Sequence, residues 1–135
     1  MKTLGIIIPF YNEEKTVNKM VNIIMEMDSG EYEKYLYLIN DCSTDSTRDK
    51  IKKIKDNYKR ITLINNEINI GQNESLKKSI KFIEKHDAYL TLDGDNQHPV
   101  NNIDDLLRVL ESEKLDFFHG RKIKEIGGDN IFRTI

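Results

Sequence analysis

Only one cysteine, Cys42, occurs in the 135 residues, which excludes an internal disulfide and any zinc site built on cysteines. A lone thiol is compatible with a reducing compartment. No apolar run approaches the roughly 20 residues that a membrane-spanning helix needs. The run from Leu4 to Phe10 behind Lys2 is short, leads into Asn12-Glu13-Glu14-Lys15 and lacks a small-residue cleavage site, so it does not read as a secretion signal. An excess of one charge is missing too. With 21 basic and 23 acidic residues, a net charge of −2, the chain has no electrostatic footprint for nucleic acid. It has no internal repeat and no low-complexity linker. What is present, 38% apolar and 33% charged residues, fits one soluble domain over residues 1–135, long enough to bury a core without staples. The expected location is cytoplasmic, with no membrane anchor of its own.

Two hydrophobic periods alternate along the chain. Thr3 to Ile8 is a near-continuous apolar run closed by Pro9, as in a central strand buried on both faces. Val17, Met20, Val21, Ile24 and Met27 fall at helical spacing, which predicts an amphipathic helix over 15–27, ended by Asp28-Ser29-Gly30. Tyr35 to Ile39 reads as a second strand, and Asp45 or Ser46 caps a helix over 47–57. Ile61 to Ile64 is a third strand, and Gly71 opens a loop into a helix with apolar positions Leu76, Ile80 and Ile83. Residues 88–92 form a fourth strand, His98-Pro99 leads into a helix carrying Ile103, Leu106, Leu107 and Leu110, and Leu115 to Phe118 is a fifth strand. From Arg121 the chain is basic and contains glycine, without an evident final element. His86 is expected to end the third helix as a cation against its dipole, and Tyr32, Tyr35 and Tyr37 to serve packing. His98 and His119 read as structural rather than as ligands.

Strands alternating with helices argue for an α/β fold with a doubly wound, mostly parallel sheet. In such sheets ligands sit beyond the carboxyl ends of the strands. Three polar clusters leave strand ends here: residues 9–14, 40–45 and 93–98. The last holds Asp93-Gly94-Asp95. In extended backbone, residues i and i+2 point the same way, so both carboxylates can aim at one point beyond the strand. Gly94 leaves room for a bend and for a close ligand. Two hard oxygen ligands on one side suit Mg²⁺ or Mn²⁺, which binds through one or two carboxylates with substrate phosphates. Asp-Gly-Asp-Asn is also ordinary turn chemistry, so this stretch alone leaves both readings open.

Together the clusters resemble the nucleotide-sugar half of a family-2 glycosyltransferase with the Rossmann-like GT-A fold. Ile6-Ile-Ile-Pro-Phe-Tyr-Asn-Glu-Glu resembles the family's first strand and its Pro-x-Tyr-Asn-Glu loop. Asn40-Asp41-Cys42-Ser43-Thr44-Asp45-Ser46-Thr47 resembles its Asp-Asp-Gly-Ser-Thr-Asp-Gly-Thr segment. Asn69-Ile70-Gly71 resembles its Asn-x-Gly, and Asp93-Gly94-Asp95 its metal-binding Asp-x-Asp. The continuation Asn96-Gln97-His98-Pro99 is most similar to the branch with dolichyl-phosphate mannose synthase and other polyprenyl-phosphate glycosyltransferases. The resemblance spans essentially the whole chain, and four motifs in order are far more specific than one.

The family implies a UDP- or GDP-sugar as donor. Pro9, Tyr11 and Glu13 would line the base and ribose pocket, and Asp41 would contact the base or ribose. Asp93 and Asp95 would bind the ribose and, through Mn²⁺ or Mg²⁺, the diphosphate, with Gln97 completing the metal site. In the polyprenyl-phosphate branch the nucleophile is already a phosphate oxygen, and two arginines bind that acceptor. Arg121 and Arg133 stand at comparable places, and guanidinium groups suit phosphate geometry; a solvated basic tail is the competing reading. Such a protein would work in the cytoplasm, at the cytoplasmic face of a membrane. The resemblance also implies roughly another hundred residues, a domain-scale stretch, beyond this donor half.

Several positions depart from the family pattern. Asn40 stands where the first aspartate is usual, Cys42 replaces a usual Gly or Ala, and Gln72-Asn73 replaces a usual Lys- or Gly-containing pair. No residue after position 120 reads as a catalytic base. Transfer to a saccharide hydroxyl, which needs such a base, is therefore the alternative enzyme reading. A nucleotide-binding module that depends on a partner for its acceptor site is the non-catalytic one. A nucleotidyltransferase is disfavoured, because its Gly-rich basic loop is missing after the first strand.

Overall fold

The structure, a computed structural model, describes residues 1–94 and the backbone of 117–120 and 131–133. Its centre is strand β1 (Lys2–Phe10), whose residues from Leu4 onward are all buried. Side chains alternate across the strand. Leu4, Ile6, Ile8 and Phe10 enter one core, while Ile7 enters a second on the other face of the sheet.

The first core is closed by helices α1 (Val17–Glu26) and α2 (Thr47–Asn57). On α1, Val17, Met20, Val21 and Ile24 are fully buried at i, i+3, i+4 and i+7, as the sequence pattern requires. Each such burial contributes about 1.5–3 kcal/mol. The second core gathers Tyr37 and Ile39 of strand β2 (Tyr32–Asn40) and Ile64 of strand β3 (Ile61–Asn65). Leu76 of helix α3 (Gln72–Ser79) and Ile83 pack against it. Helices thus lie on both faces, the doubly wound arrangement anticipated from the sequence.

Among the described residues the sheet has six strands in the order β3-β2-β1-β4-β5-β6, where β4 is Ala88–Thr91, β5 is Phe117–Gly120 and β6 is Ile131–Arg133. β3, β2, β1, β4 and β5 run parallel, and β6 is antiparallel to β5. The chain steps outward from β1 to β3, then returns to add β4 on the other side of β1. That reversal between β1 and β4 is the topological switch point, where open α/β sheets hold their ligands.

Register opens a crevice there. β1 pairs with β2 as far as Phe10↔Asn40, but with β4 only as far as Ile7↔Thr91. Leu92 N–H still donates to the Ile7 carbonyl on the β4 side, while Asp41 N–H donates to the Phe10 carbonyl on the β2 side. Alternation places Pro9 with Ile7, facing the β4 side where the ladder has already ended. Its missing N–H therefore costs no ladder bond, and Pro9 lies inside the strand it was expected to close.

Four expectations change. The third helix passes after Ser79 into one 3₁₀ turn, Ile80–Phe82; Ser75 and Ser79 are the buried residues of the helix, and Ile80 is 68% exposed instead of facing the core. His86 follows that turn as a buried residue, and burial lowers its pKa, so it is a neutral packing group rather than a cation at a helix end. A final element does exist, the short strand β6. The fifth strand extends to Gly120 rather than stopping at Phe118. The expected helix through Ile103 and Leu110 lies outside the described residues.

Candidate functional site

A cavity of about 190 Å³ occupies the crevice. Pro9, Phe10, Tyr11 and Glu13 line it from the end of β1, Asp41 from the end of β2, Gln72 from the start of α3, and Asp93 and Gly94 from the end of β4. The five positions singled out for nucleotide binding, Pro9, Tyr11, Glu13, Asp41 and Asp93, thus stand around one space. Asp95, Gln97 and Arg121 lie outside the described residues. Arg133 is described as backbone only, in β6 opposite Phe118.

The loop after β1 is held by the loop after β2. Asn12, at φ 51°, donates its backbone N–H to Ser43 Oγ at 3.0 Å, and its Oδ1 accepts from Thr44 N–H at 2.8 Å. Glu13 N–H donates to Thr47 Oγ1 at 2.9 Å. The Glu14 carboxylate accepts from the Ser46 hydroxyl and amide at 2.7 and 3.0 Å, and these bonds hold its pKa below the ordinary value. Lys50 Nζ closes the clamp on the Glu14 carbonyl at 2.6 Å. Asp45, rather than Ser46, supplies the side-chain cap of α2: its Oδ1 accepts from Thr47 N–H at 2.9 Å. Burial pushes the Asp45 pKa up, but the bonds from Thr47 and Glu14 outweigh it and leave it lowered.

This clamp presents Tyr11 and Glu13 at the cavity. Tyr11 remains 47% exposed, an aromatic face available to a flat ring. Glu13 Oε2 accepts from Thr16 Oγ1 at 3.0 Å, and the same hydroxyl reaches the Gly94 carbonyl at 3.4 Å, which ties the first loop to the end of β4. Gly94 serves a close approach, though to protein. A Cβ there would stand 2.4 Å from the Pro9 carbonyl oxygen and 2.5 Å from the Phe10 ring.

Asp41 is buried, and its carboxylate is already engaged. Oδ1 accepts from Asn66 Nδ2 at 3.0 Å and from Ile70 N–H at 2.9 Å, and Oδ2 accepts from Gly71 N–H at 2.9 Å. The Asp41 carbonyl accepts from Asn69 Nδ2 at 3.1 Å. A carboxylate offers about four acceptor positions, so three of them hold the 66–71 loop and little remains for a ligand. Asn40, the departure from the family pattern, uses its side chain on Ser43 and Asn65. Cys42 sits at φ 57°, the left-handed region that glycine favours, and donates to the Glu67 carbonyl at 3.3 Å.

Gln72, like Phe10, lines the cavity without a role in the sequence reading. Its Nε2 donates to Asp93 Oδ1 across the cavity. The signal available was its place directly after Asn69-Ile70-Gly71, as the first helical residue beyond a strand end. Among the described residues no three His, Cys, Asp or Glu side chains could hold a metal ion together. A divalent ion held partly by substrate phosphates needs only one or two carboxylates, and Asp93 on the cavity wall fits that donor set. No helix among the described residues is long and apolar enough to cross a membrane.

Known proteins share both sequence and fold with this chain. It is 28% identical over 116 residues to a dolichyl-phosphate beta-glucosyltransferase of Trichomonas vaginalis, covering 82% of this chain and 34% of that protein. The mannosyltransferase PcManGT from Pyrobaculum calidifontis, solved with GDP-Man and Mn²⁺, superposes with a TM-score of 0.71 at 17% identity, over 83% of this chain and 33% of that one. S. aureus TarS 1–349 in complex with UDP gives a TM-score of 0.70 at 23% identity, over 98% of this chain and 38% of that one. The chain spans about half or less of the length of the curated relatives it matches first, 52% and 34%. The model of the family described as Glycosyl transferase family 2 matches residues 5–134, and the chain belongs to that family.

Proposed function

We propose that the cavity at the switch point is the donor site of a glycosyltransferase that moves a sugar from a nucleotide diphosphate sugar to an acceptor. The observation that carries this reading is the convergence of Pro9, Tyr11, Glu13, Asp41 and Asp93 from separate strand ends on one cavity. Tyr11 and Pro9 would pack against the base. Glu13, held by Thr16, would accept from ribose or base donors. Asp41 would act mainly by fixing the 66–71 loop at the cavity rim. Asp93, together with Asp95 and Gln97 outside the described residues, would hold Mn²⁺ or Mg²⁺. When bound, such a cation neutralises charge on a departing diphosphate.

Polyprenyl phosphate is the acceptor we favour. Support comes from the likeness to a dolichyl-phosphate beta-glucosyltransferase and from Arg121 and Arg133 in the sequence. A phosphate nucleophile needs no general base, so this reading asks for none from the chain. On this reading the protein would work at the cytoplasmic face of a membrane.

Calorimetric titration with UDP and GDP, each with and without Mn²⁺, tests the donor site on the chain and on Asp93→Asn. Metal-dependent binding of one nucleotide, weakened in the variant, is the expected result; binding of neither would sink the reading. Acceptor screening then separates product on a lipid phosphate from product on a saccharide only.

A further inference from the structure

Gln72 and Asp93 face each other across the cavity from different elements, and the structure shows what fixes each end. The Asp41 carboxylate holds Ile70 N–H and Gly71 N–H, each at 2.9 Å. Gly71 then turns with φ 87°, a conformation that L side chains rarely adopt, and releases the chain into α3. Gln72 is therefore delivered to the cavity by a pinned backbone. Asp93 follows Leu92, whose N–H is bonded to the Ile7 carbonyl, so the chain is anchored to the sheet one residue before it. The Gln72 amide spans the gap and donates to Asp93 Oδ1. Both residues line the cavity.

The residue type matters. An amide restrains a carboxylate by a hydrogen bond yet leaves its negative charge in place. A lysine or arginine there would restrain and neutralise it together. We propose that Gln72 is a positioning residue of the donor site: it fixes the Asp93 carboxylate toward the nucleotide while preserving the charge that attracts a divalent cation, and so makes nucleotide binding depend on that cation. The inference rests on the donor-site reading above.

The contact is measured first, without ligand. The Gln72 side-chain amide resonances, identified by their loss in Gln72→Ala, should move in Asp93→Ala; if they stay where they are, the contact does not exist and the inference falls. UDP and GDP are then titrated into the wild-type chain, Gln72→Ala and Gln72→Lys, each with Mn²⁺ and with chelator. Loss of a hydrogen bond to a charged group predicts about tenfold weaker Mn²⁺-supported binding in Gln72→Ala, with metal-free binding little changed. Gln72→Lys should bind the nucleotide nearly as well without Mn²⁺ as with it. The ratio of the two affinities is the reading that a purely structural role would not move, and urea midpoints check that the variants fold. Wild-type ratios in both variants overturn the inference and leave the donor site standing. Wild-type chain that binds neither nucleotide, with the amide contact intact, overturns the donor-site reading and this inference with it.

Discussion

His86 shows how one side chain links pH to stability. It lies among Tyr35, Tyr37 and Tyr89, with ring centroids 4.8, 5.6 and 5.7 Å away. Nε2 meets the Tyr37 hydroxyl at 2.7 Å, and Nδ1 is buried without a hydrogen-bond partner among the described residues. Burial lowers the His86 pKa, against the opposing pull of Glu84 and Asp87. The unfolded chain takes up this proton near pH 6.5, the folded chain only at lower pH. The stability that His86 contributes is thus fully present above about pH 6.5 and is lost as the pH falls through the folded value. Urea midpoints at pH 7.5 and 5.5 should differ in the wild type, and the difference should shrink in His86→Phe; an unchanged difference would contradict this account. The same pocket predicts the effect of a methyl group. A Cβ at Gly5 would stand 2.8 Å from His86 Cδ2 and 3.0 Å from Tyr89 Cδ1. Gly5→Ala should therefore cost about 1–3 kcal/mol by overpacking, read as a lower urea midpoint.

At the scale of elements, α1 is closed by a neighbour rather than by its own sequence. It has no basic residue in its last turn. Lys34, on β2, instead sends Nζ to the carbonyls of Ile24 at 2.7 Å and Met25 at 3.0 Å, and to that of Met27. A cation at those orphan carbonyls also meets the negative end of the helix dipole. Lys34→Met keeps the aliphatic stem and removes the charge, so it should lower stability by about 1–2 kcal/mol. An unchanged urea midpoint would remove the cap from the account. This contact also marks the boundary of what the sequence makes legible. Local period was enough for α2, expected over 47–57 and found at Thr47–Asn57, and for the inward face of α1. It was not enough where a distant partner decides. Pro9 reads as a stop, but register decides which side its missing N–H faces. Ile80 fits the apolar helical period, but the helix turns Ser75 and Ser79 inward, and Ile131–Arg133 is too short to show alternation. The family resemblance named Pro9, Tyr11, Glu13, Asp41 and Asp93, and these five line one cavity. The Gln72–Asp93 bond joins residues 21 apart and leaves no local trace.

For the whole molecule, the cavity belongs to no single element. Its wall runs from Pro9 to Gly94 in the sequence and takes residues from the ends of β1, β2 and β4 and from the first turn of α3. Only the assembled sheet with its crossover around β1 brings these together, so an unfolded chain offers a nucleotide no equivalent site. Anything that binds the folded state alone stabilises it by mass action, by about 2.7 kcal/mol at a free concentration one hundred times Kd. For a domain of this size that corresponds to a rise of several degrees in Tm. UDP or GDP with Mn²⁺ should therefore raise the thermal midpoint in a concentration-dependent way. Mn²⁺ alone should do less, since the proposed ion is held partly by the diphosphate. Asp93→Asn should lose most of the rise while its ligand-free midpoint stays near the wild-type value, because Asp93 stands at the cavity wall and outside both cores. A midpoint indifferent to both nucleotides at millimolar concentration would mean that the crevice between β1 and β4 is not a nucleotide site of this chain.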